Sequence, residues 1–297
     1  MKLATLIGFS AIAMWALLAL FTAGSGQVPP FQLSAMTFSV GAALGLVSWL
    51  WRPSAVRHLR QPPIVWLVGV IGLFGYHFFY FTALRNAPAV DASLIAYLWP
   101  LLIVVGSAVM PGERLHWYHI VGALLGLGGT ALIVSKGDGI GFDVRYGFGY
   151  AMAALCALTW SSYSLLSRRF SKVPTDAVTG FCVATAVLSL ICHLALEQTV
   201  WPETTAQWLS VIALGLLPVG AAFYAWDFGV KRGNIQVLGA VSYAAPLLST
   251  LVLISAGMAQ PSMRILAACL LITSGAALAA KDMIFIRRKE ALSGQSD

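Results

Sequence analysis

Aromatic side chains with polar tips stand deep inside long apolar segments of this chain. Counted from the segment ends, six of them lie near a segment's middle: Trp15, Tyr97, Trp99, Trp160, Tyr163 and Tyr243. A buried indole N–H or phenol O–H needs a hydrogen-bond partner. The ring faces suit aromatic, apolar or ammonium-bearing solutes through stacking and cation–π contact. The set predicts an aromatic-lined binding cavity, although packing between helices explains any single member equally well.

His77 is the one strongly polar, titratable side chain well inside an apolar segment. Ionisable groups within a membrane span are functional candidates. A neutral imidazole bonded to Tyr97 or to a backbone carbonyl is an equally good interpretation. If the cavity exists, we expect His77 and Tyr80 to lie towards its outer mouth.

Two charged pairs near segment ends have a simpler, structural interpretation. Asp227 lies four residues before Lys231, which is the spacing of an ion pair along a helix. Arg85 and Asp91 bracket a short turn, and we expect them to pair as well. Trp226, close to the first pair, fits the belt of tryptophans found at membrane interfaces.

No constellation for covalent or metal chemistry accompanies these residues. The four cysteines lie singly in apolar segments, without a CxxC motif or a histidine at metal-binding spacing, and we expect them to be core residues. No Gly-x-Ser-x-Gly or His-Glu-x-x-His motif occurs. We therefore expect no catalysis, no metal and no cofactor.

The segments that must position the aromatic residues are those of a polytopic membrane protein. Of 297 residues, 59% are hydrophobic and 10% charged, whereas soluble domains carry about 25% charged residues. Roughly 20 apolar residues cross the hydrocarbon core. Ten such segments fit, and the first is long enough to be a retained helix rather than a signal peptide. They lie at 3–23, 32–51, 64–84, 91–110, 117–134, 147–167, 177–196, 207–228, 236–257 and 264–285.

The distribution of lysine and arginine predicts the orientation of these segments. With the N-terminus inside, 14 of the 18 basic residues fall on the cytoplasmic side, and the outer side holds only Arg85, Lys136, Arg145 and Arg264. Both termini are therefore predicted to be cytoplasmic. The net charge of +7 reflects this topology and gives no reason to expect a nucleic-acid partner.

An internal repeat divides the chain. The hexapeptide YLWPLL at 97–102 returns 146 residues later as YAAPLL at 243–248. The copies lie in the fourth and ninth segments, a displacement of five, and an odd displacement places the two halves in opposite orientations. Secondary transporters built in this way bind substrate near the membrane midplane. We predict two inverted five-helix repeats, with a periplasmic linker between them and a cytoplasmic tail after them; the bounds are 1–135, 136–146, 147–290 and 291–297.

The hexapeptides carry matched prolines, Pro100 and Pro246, each near the middle of its segment. Proline removes one backbone donor and clashes with the carbonyl four residues earlier. In lipid that carbonyl needs another partner. A tolerated kink is one interpretation, and the matched pair favours hinges beside a binding site.

This arrangement resembles the drug/metabolite transporter superfamily, in its ten-helix EamA-type branch. Pro100, Glu113 and Gly122 follow that branch's Pro–Glu–Gly pattern in the first half. In the second half Ala259 replaces the glutamate and Gly275 is kept. The deep aromatic set is similar to that of the aromatic amino acid exporters of this branch. The resemblance implies a cavity between the halves, alternating access, and export of amino acids or related metabolites.

We therefore expect an all-α secondary transporter of the bacterial inner membrane that exports aromatic and other neutral amino acids. Its expected partners are the substrate and the lipid bilayer, and we expect it to act as a monomer. The alternatives are an exporter of another small metabolite or drug, and an ion channel, for which no filter loop is evident. No acidic residue precedes Asp91, which disfavours a proton-coupled drug exporter.

Overall fold

The computed structural model describes residues 2–135 and 143–281, and every regular element within them is helical. The first range holds α1 (Lys2–Trp15), α2 (Leu18–Gly24), α3 (Pro30–Trp49), α4 (Pro63–Val70), α5 (Tyr76–Asn86), α6 (Ala89–Ala96), α7 (Trp99–Gly106) and α8 (Trp117–Val134). The second holds α9 (Gly147–Arg169), α10 (Ala177–Leu196), α11 (Thr205–Leu216), α12 (Ala222–Arg232), α13 (Ile235–Val241), α14 (Ala244–Ser255) and α15 (Met263–Ala279). Most of the predicted linker and all of the predicted tail fall on 136–142 and 282–297, outside the described residues.

Eight stretches of the described chain are long and apolar enough to cross a membrane. They are Lys2–Gly24, Pro30–Trp49, Pro63–Asn86, Ala89–Val109, Trp117–Val134, Ala177–Leu196, Thr205–Arg232 and Ile235–Ser255. Two further helices, α9 with 23 residues and α15 with 17, occupy the places of the sixth and tenth predicted segments. The chain is a multi-pass membrane protein.

The order of elements recurs along the chain. Adding 146 to the bounds of α5 gives those of α12, and the start of α6 maps in the same way onto the start of α13. Two π-helical turns, Ile71–Gly75 and Leu217–Ala221, also lie 146 residues apart. Such turns inside α-helices are rare, and they occur often at functional sites.

Corresponding helices of the two ranges pack antiparallel. In the α8–α15 pair, Gly122 lies against Gly275 and Ala279, whereas Gly129, two turns later, lies against Ala268. Rising residue numbers in α8 therefore meet falling numbers in α15. A Cβ atom built on Gly122 or on Gly275 would collide with the backbone oxygen of the other, so this crossing requires glycine at both positions.

The α3–α10 pair is antiparallel by the same criterion. The carboxylate of Glu197, just after α10, accepts the backbone N–H of Phe31 at the start of α3 at 3.1 Å. At the other end, Arg52 follows α3 and pairs with Asp176 just before α10 at 3.0 Å. Each helix therefore begins where the other one ends.

Within the described residues, three spans are broken near their middle by a short non-helical turn. One break separates α6 from α7 and another separates α13 from α14, each just before the predicted proline. Pro100 and Pro246 stand in the first turn of the following helix, where a missing N–H leaves no hydrogen bond unmade. The third break follows Trp15, between α1 and α2, and no proline marks it.

Candidate functional site

Four indole rings from four helices meet at one point: Trp15 on α1, Trp99 on α7, Trp160 on α9 and Trp226 on α12. All pairs among them are in ring contact, with centroid distances from 5.1 to 6.2 Å. Trp226 is fully buried, and Trp160 and Trp99 are 3% and 6% exposed. We call these four residues the indole cluster. The first three are predicted site residues, and the structure brings those three together.

Irregular backbone surrounds the indole cluster. Trp15 is the last residue of α1 and Trp99 the first of α7, so both stand at helix breaks. The carbonyl of Pro218, inside the second π-helical turn, accepts the indole N–H of Trp15 at 3.1 Å. Interrupted helices place unpaired backbone groups beside the substrate in secondary transporters.

The four indole N–H groups divide into two kinds. That of Trp15 is bonded to Pro218, and that of Trp226 donates to the hydroxyl of Ser164 at 3.0 Å. Those of Trp99 and Trp160 form no hydrogen bond with any described residue. The cluster therefore combines two fixed rings with two that carry available donors.

His77 is bonded to its own helical span. Its Nδ1 lies 2.7 Å from the carbonyl oxygen of Leu73, so its partner is a backbone carbonyl rather than Tyr97. The imidazole packs edge-on against Phe38 at 5.1 Å and Tyr76 at 5.2 Å. The ring of Tyr76 in turn contacts an indole of the cluster at 5.4 Å. His77 thus lies one ring away from the indole cluster.

The predicted tyrosines Tyr80, Tyr163 and Tyr97 differ in their surroundings. Tyr80 stacks on Tyr76 with centroids 6.2 Å apart, and its hydroxyl is 3.3 Å from that of Ser93. Tyr163 is 2% exposed and packs against an indole of the cluster at 5.2 Å. Tyr97, at the break between α6 and α7, is half-buried.

Tyr243 lies apart from the indole cluster. It is fully buried in a second apolar group with Val104 and Ala123. Its hydroxyl accepts the backbone N–H of Leu101 at 3.2 Å. This bond links the break between α13 and α14 in the second half to the first turn of α7, which contains Pro100, in the first half.

The expectation that Trp226 lies in an interfacial belt is wrong. The side chain is fully buried because α12 packs along α1, which places its ring 5.1 Å from Trp15. Phe223, one turn earlier, stacks on Phe38 at 5.5 Å. The repeat is the signal that could have found both, because an offset of 146 carries the two predicted site residues of α5 onto these positions.

One of the two expected ion pairs is present. Lys231 Nζ lies 2.8 Å from Asp227 Oδ1, which confirms the helical pair. The pairing of Arg85 with Asp91 is wrong. Arg85 binds Glu197 at 2.5 Å, and Asp91 instead accepts the hydroxyl hydrogen of a tyrosine on α9 at 3.1 Å.

The partner of Arg85 is explained by the position of Glu197. The side chain of this residue is 3% exposed and accepts the backbone N–H groups of Phe31 and Gln32 at the positive end of α3. It also lies 3.1 Å from Nδ1 of His193. A carboxylate held in place at a helix end attracts the guanidinium across a sequence separation of 112 residues.

Metal-ligating side chains are scattered in the described residues, which hold no group of three or more His, Cys, Asp or Glu that could bind an ion. The cysteines among the described residues are free thiols: Cys156, Cys182, Cys192 and Cys269. The chemistry that the indole cluster offers is stacking, apolar contact and hydrogen bonding.

Long apolar helices, interrupted around a cluster of aromatic rings, are the architecture of a multi-pass membrane transporter. The EamA-like transporter family matches the chain twice, over residues 2–135 and 147–280. The chain belongs to this family.

Comparison with individual proteins agrees with the family match. The aromatic amino acid exporter YddG of Ancylobacter novellus is 55% identical over 277 residues, which cover 93% of this chain and 96% of that protein. The aromatic amino acid exporter YddG of Escherichia coli K12 is 24% identical over 259 residues, covering 83% and 86%. A crystal structure of a protein 54% identical to this chain matches the fold with a TM-score of 0.89, covering 94% and 97%.

Proposed function

We propose that this protein is a secondary transporter that exports aromatic and other neutral amino acids from the bacterial cytoplasm across the inner membrane. The observation that carries the proposal is the indole cluster, a large aromatic surface at interrupted helices. The relative that is 55% identical is an aromatic amino acid exporter, which supports the same cargo.

The proposed topology has ten spans in two inverted repeats, with both termini in the cytoplasm. The repeats would comprise 1–135 and 147–290, joined by a periplasmic linker at 136–146 and followed by a cytoplasmic tail at 291–297. Antiparallel packing of α8 against α15 and of α3 against α10 supports the inversion. The excess of lysine and arginine on one side supports the orientation. A monomer is proposed as the working unit.

In the proposed binding mode, the cargo's aromatic ring inserts among the rings of the indole cluster. The available N–H groups of Trp99 and Trp160 would donate to its polar groups. The rings touch one another in the present conformation, so they must separate when the cargo enters. The proposed site comprises Trp15, His77, Tyr80, Tyr97, Trp99, Trp160, Tyr163, Trp226 and Tyr243.

The proposed hinges are Pro100 and Pro246. The breaks before them divide the fourth span into α6 and α7 and the ninth span into α13 and α14. A half-helix can tilt at such a break without losing hydrogen bonds inside either piece. Tilting of the half-helix that begins at Trp99 would move one indole away from the other three.

Single substitutions in the indole cluster test the site. We expect Trp99→Ala and Trp160→Ala each to lower the transport efficiency for labelled phenylalanine in proteoliposomes by roughly tenfold or more, because each removes a stacking surface and a donor. Trp201→Ala is the matched control, since that indole is 60% exposed and stacks only on Trp208 among the described rings.

Three results would count against separate parts of this proposal. Unchanged phenylalanine flux in both cluster variants, with normal insertion, would remove the indole cluster from the transport path. No flux of phenylalanine or tryptophan through the unsubstituted protein would refute the cargo. Flux that fails to saturate with rising concentration would favour a channel.

A further inference from the structure

A buried ion pair lies next to the indole cluster on α12. Asp227 and Lys231, here called the inner ion pair, have side chains that are 1% and 4% exposed, and Nζ lies 2.8 Å from Oδ1. Thr175 donates to Asp227 Oδ2 at 2.8 Å, and Nζ also donates to the carbonyl of Val173 at 3.0 Å. Both of these further partners lie in the loop that connects α9 to α10. In the proposed topology this group lies at the cytoplasmic end of the protein.

A small cavity adjoins the inner ion pair. Its volume is about 10 Å³, and its lining includes Asp227 and Lys231 together with Tyr163 and Ser167 from α9. This volume is enough for roughly one water. The buried Tyr163 hydroxyl interacts with Ser167 and Asp227, which also line the cavity. The space is therefore bordered by polar side chains.

The side chain of Tyr163 lies between the cavity and the indole cluster. Tyr163 packs against Trp160 at 5.2 Å, and the same side chain lines the cavity. Trp226 of the cluster directly precedes Asp227 in sequence. An aromatic surface and a pair of opposite charges therefore lie side by side.

Stability alone gives little reason for such a pair. Two charges removed from water lose solvation that their mutual attraction only partly restores, and apolar residues of similar size often serve as well. An amino acid carries an ammonium and a carboxylate on the same carbon. It can exchange partners with an internal ion pair, so that all four charges stay paired during the exchange.

We propose that the inner ion pair is the subsite for the backbone of the zwitterionic cargo on its way in from the cytoplasm. The cargo's α-ammonium binds Asp227, its α-carboxylate binds Lys231, and its side chain points past Tyr163 towards the indole cluster. This inference rests on the proposed function. It assigns protein partners to the cargo's ammonium and carboxylate, which the aromatic rings do not contact at this stage of transport.

Analogues that lack one charge test the subsite. Phenethylamine has no carboxylate and 3-phenylpropionate has no ammonium, and both keep the phenyl ring. Each is measured as a competitor of labelled phenylalanine in counterflow with proteoliposomes. We expect both to compete roughly tenfold or more weakly than phenylalanine in the unsubstituted protein, because each leaves one buried charge unpaired.

Substitutions in the inner ion pair should remove these differences one at a time. Asp227→Asn should reduce the advantage of phenylalanine over 3-phenylpropionate to less than about threefold, because the ammonium no longer gains a carboxylate partner. Lys231→Met should reduce the advantage of phenylalanine over phenethylamine to less than about threefold, because the carboxylate no longer gains an ammonium partner. The double variant leaves no unpaired charge in the site, so it serves if a single variant fails to fold. Asp176→Asn, which breaks a contact between the ends of α3 and α10, is the control and should keep both differences.

A purely structural ion pair gives a different pattern. Its removal would lower flux for all cargoes alike and leave the ratios between them unchanged, which would overturn the proposal. Equal competition by all three compounds in the unsubstituted protein would also overturn the subsite, with the aromatic site intact. Absence of phenylalanine counterflow in the unsubstituted protein would instead refute the proposed function.

Discussion

At the residue scale, the indole cluster owes its arrangement to two hydrogen bonds. Pro218 fixes the indole of Trp15 and Ser164 fixes that of Trp226. Ser164 itself donates to the carbonyl of Trp160 one turn earlier. The Trp226 N–H, the Ser164 hydroxyl and the Trp160 carbonyl therefore form a short chain of hydrogen bonds. Fixed indoles can act as a frame against which a mobile ring or a cargo ring packs.

Replacement of Trp226 separates the role of its ring from that of its N–H. We expect Trp226→Phe to keep most of the apolar contact and to cost about 1–3 kcal/mol, because it loses the bond to Ser164 and leaves a small cavity where part of the indole stood. Trp226→Ala should cost about 3–5 kcal/mol of stability, because it removes a large buried aromatic side chain, and it should abolish most phenylalanine flux. Thermal unfolding in detergent and counterflow are the two measurements.

The control for this comparison is Trp208→Ala, since that indole is 40% exposed. Equal melting temperatures for the alanine variants at Trp226 and Trp208 would show that burial of the Trp226 indole contributes nothing to stability. Equal flux through the phenylalanine and alanine variants at Trp226 would remove the ring from the transport path.

The depth of Trp15, Trp99 and Trp160 in apolar segments is enough to predict them as one site. The sequence places Trp226 at an interface because depth is counted along a straight, regular span. Burial of that ring depends on the packing of α12 along α1, which is a contact between distant parts of the chain. The partner of Arg85 is missed for the same reason, since local spacing favours a nearby carboxylate over one 112 residues away.

At the element scale, the two prolines mark two of the three helix breaks. The break after Trp15 has no such marker, and neither does the π-helical turn Ile71–Gly75. We attribute these irregularities to the packing of neighbouring helices, because no local residue type requires them. The two π-helical turns occupy matching positions of the repeat, although Leu217–Ala221 contains a proline and its counterpart does not.

The close crossing of α8 and α15 can be tested with two glycines of one helix. Gly122→Ala would drive a methyl group against the backbone of Gly275, and we expect it to destabilise the protein by about 1–3 kcal/mol. Gly128→Ala is the matched control, because a Cβ there meets nothing within 4 Å. It should be neutral or stabilising by about 0.5–1 kcal/mol.

Thermal unfolding in a single detergent compares the two glycine variants directly. A melting temperature for Gly122→Ala as high as that of Gly128→Ala would contradict the crossing. A second substitution at Gly275 should not restore stability, because the added methyl groups would crowd the same contact.

At the scale of the whole molecule, ion pairs join the two halves at sites that lie on opposite faces in the proposed topology. Arg85 of the first half binds Glu197 of the second. Glu113 of the first half binds Arg168 of the second, which also donates to two backbone carbonyls around the end of α12. Both contacts are made in this conformation, together with a closed indole cluster. In the proposed alternating-access cycle each contact would open in turn.

Removal of the charge on Glu197 should weaken one of these contacts. We expect Glu197→Gln to lower stability by about 1–3 kcal/mol, since the buried carboxylate serves Arg85, His193 and the start of α3 together. Asp143→Asn is the control, because its pair with Arg145 is exposed and such pairs contribute little. Equal thermal shifts in the two variants would show that the buried carboxylate has no special role.

The proposed inverted topology depends on two helices outside the eight long apolar stretches. The helix α15 has 17 residues and spans about 26 Å, slightly less than the roughly 30 Å of the hydrocarbon core. If α9 and α15 both cross, the C-terminus lies on the same side as the N-terminus, which is cytoplasmic in the proposed topology. A green fluorescent protein fused there should then fluoresce and an alkaline phosphatase should be inactive. A phosphatase inserted in the proposed periplasmic linker should be active. Active phosphatases at both the linker and the C-terminus would mean that an even number of segments crosses between them, and the second half could not then be a complete five-span repeat.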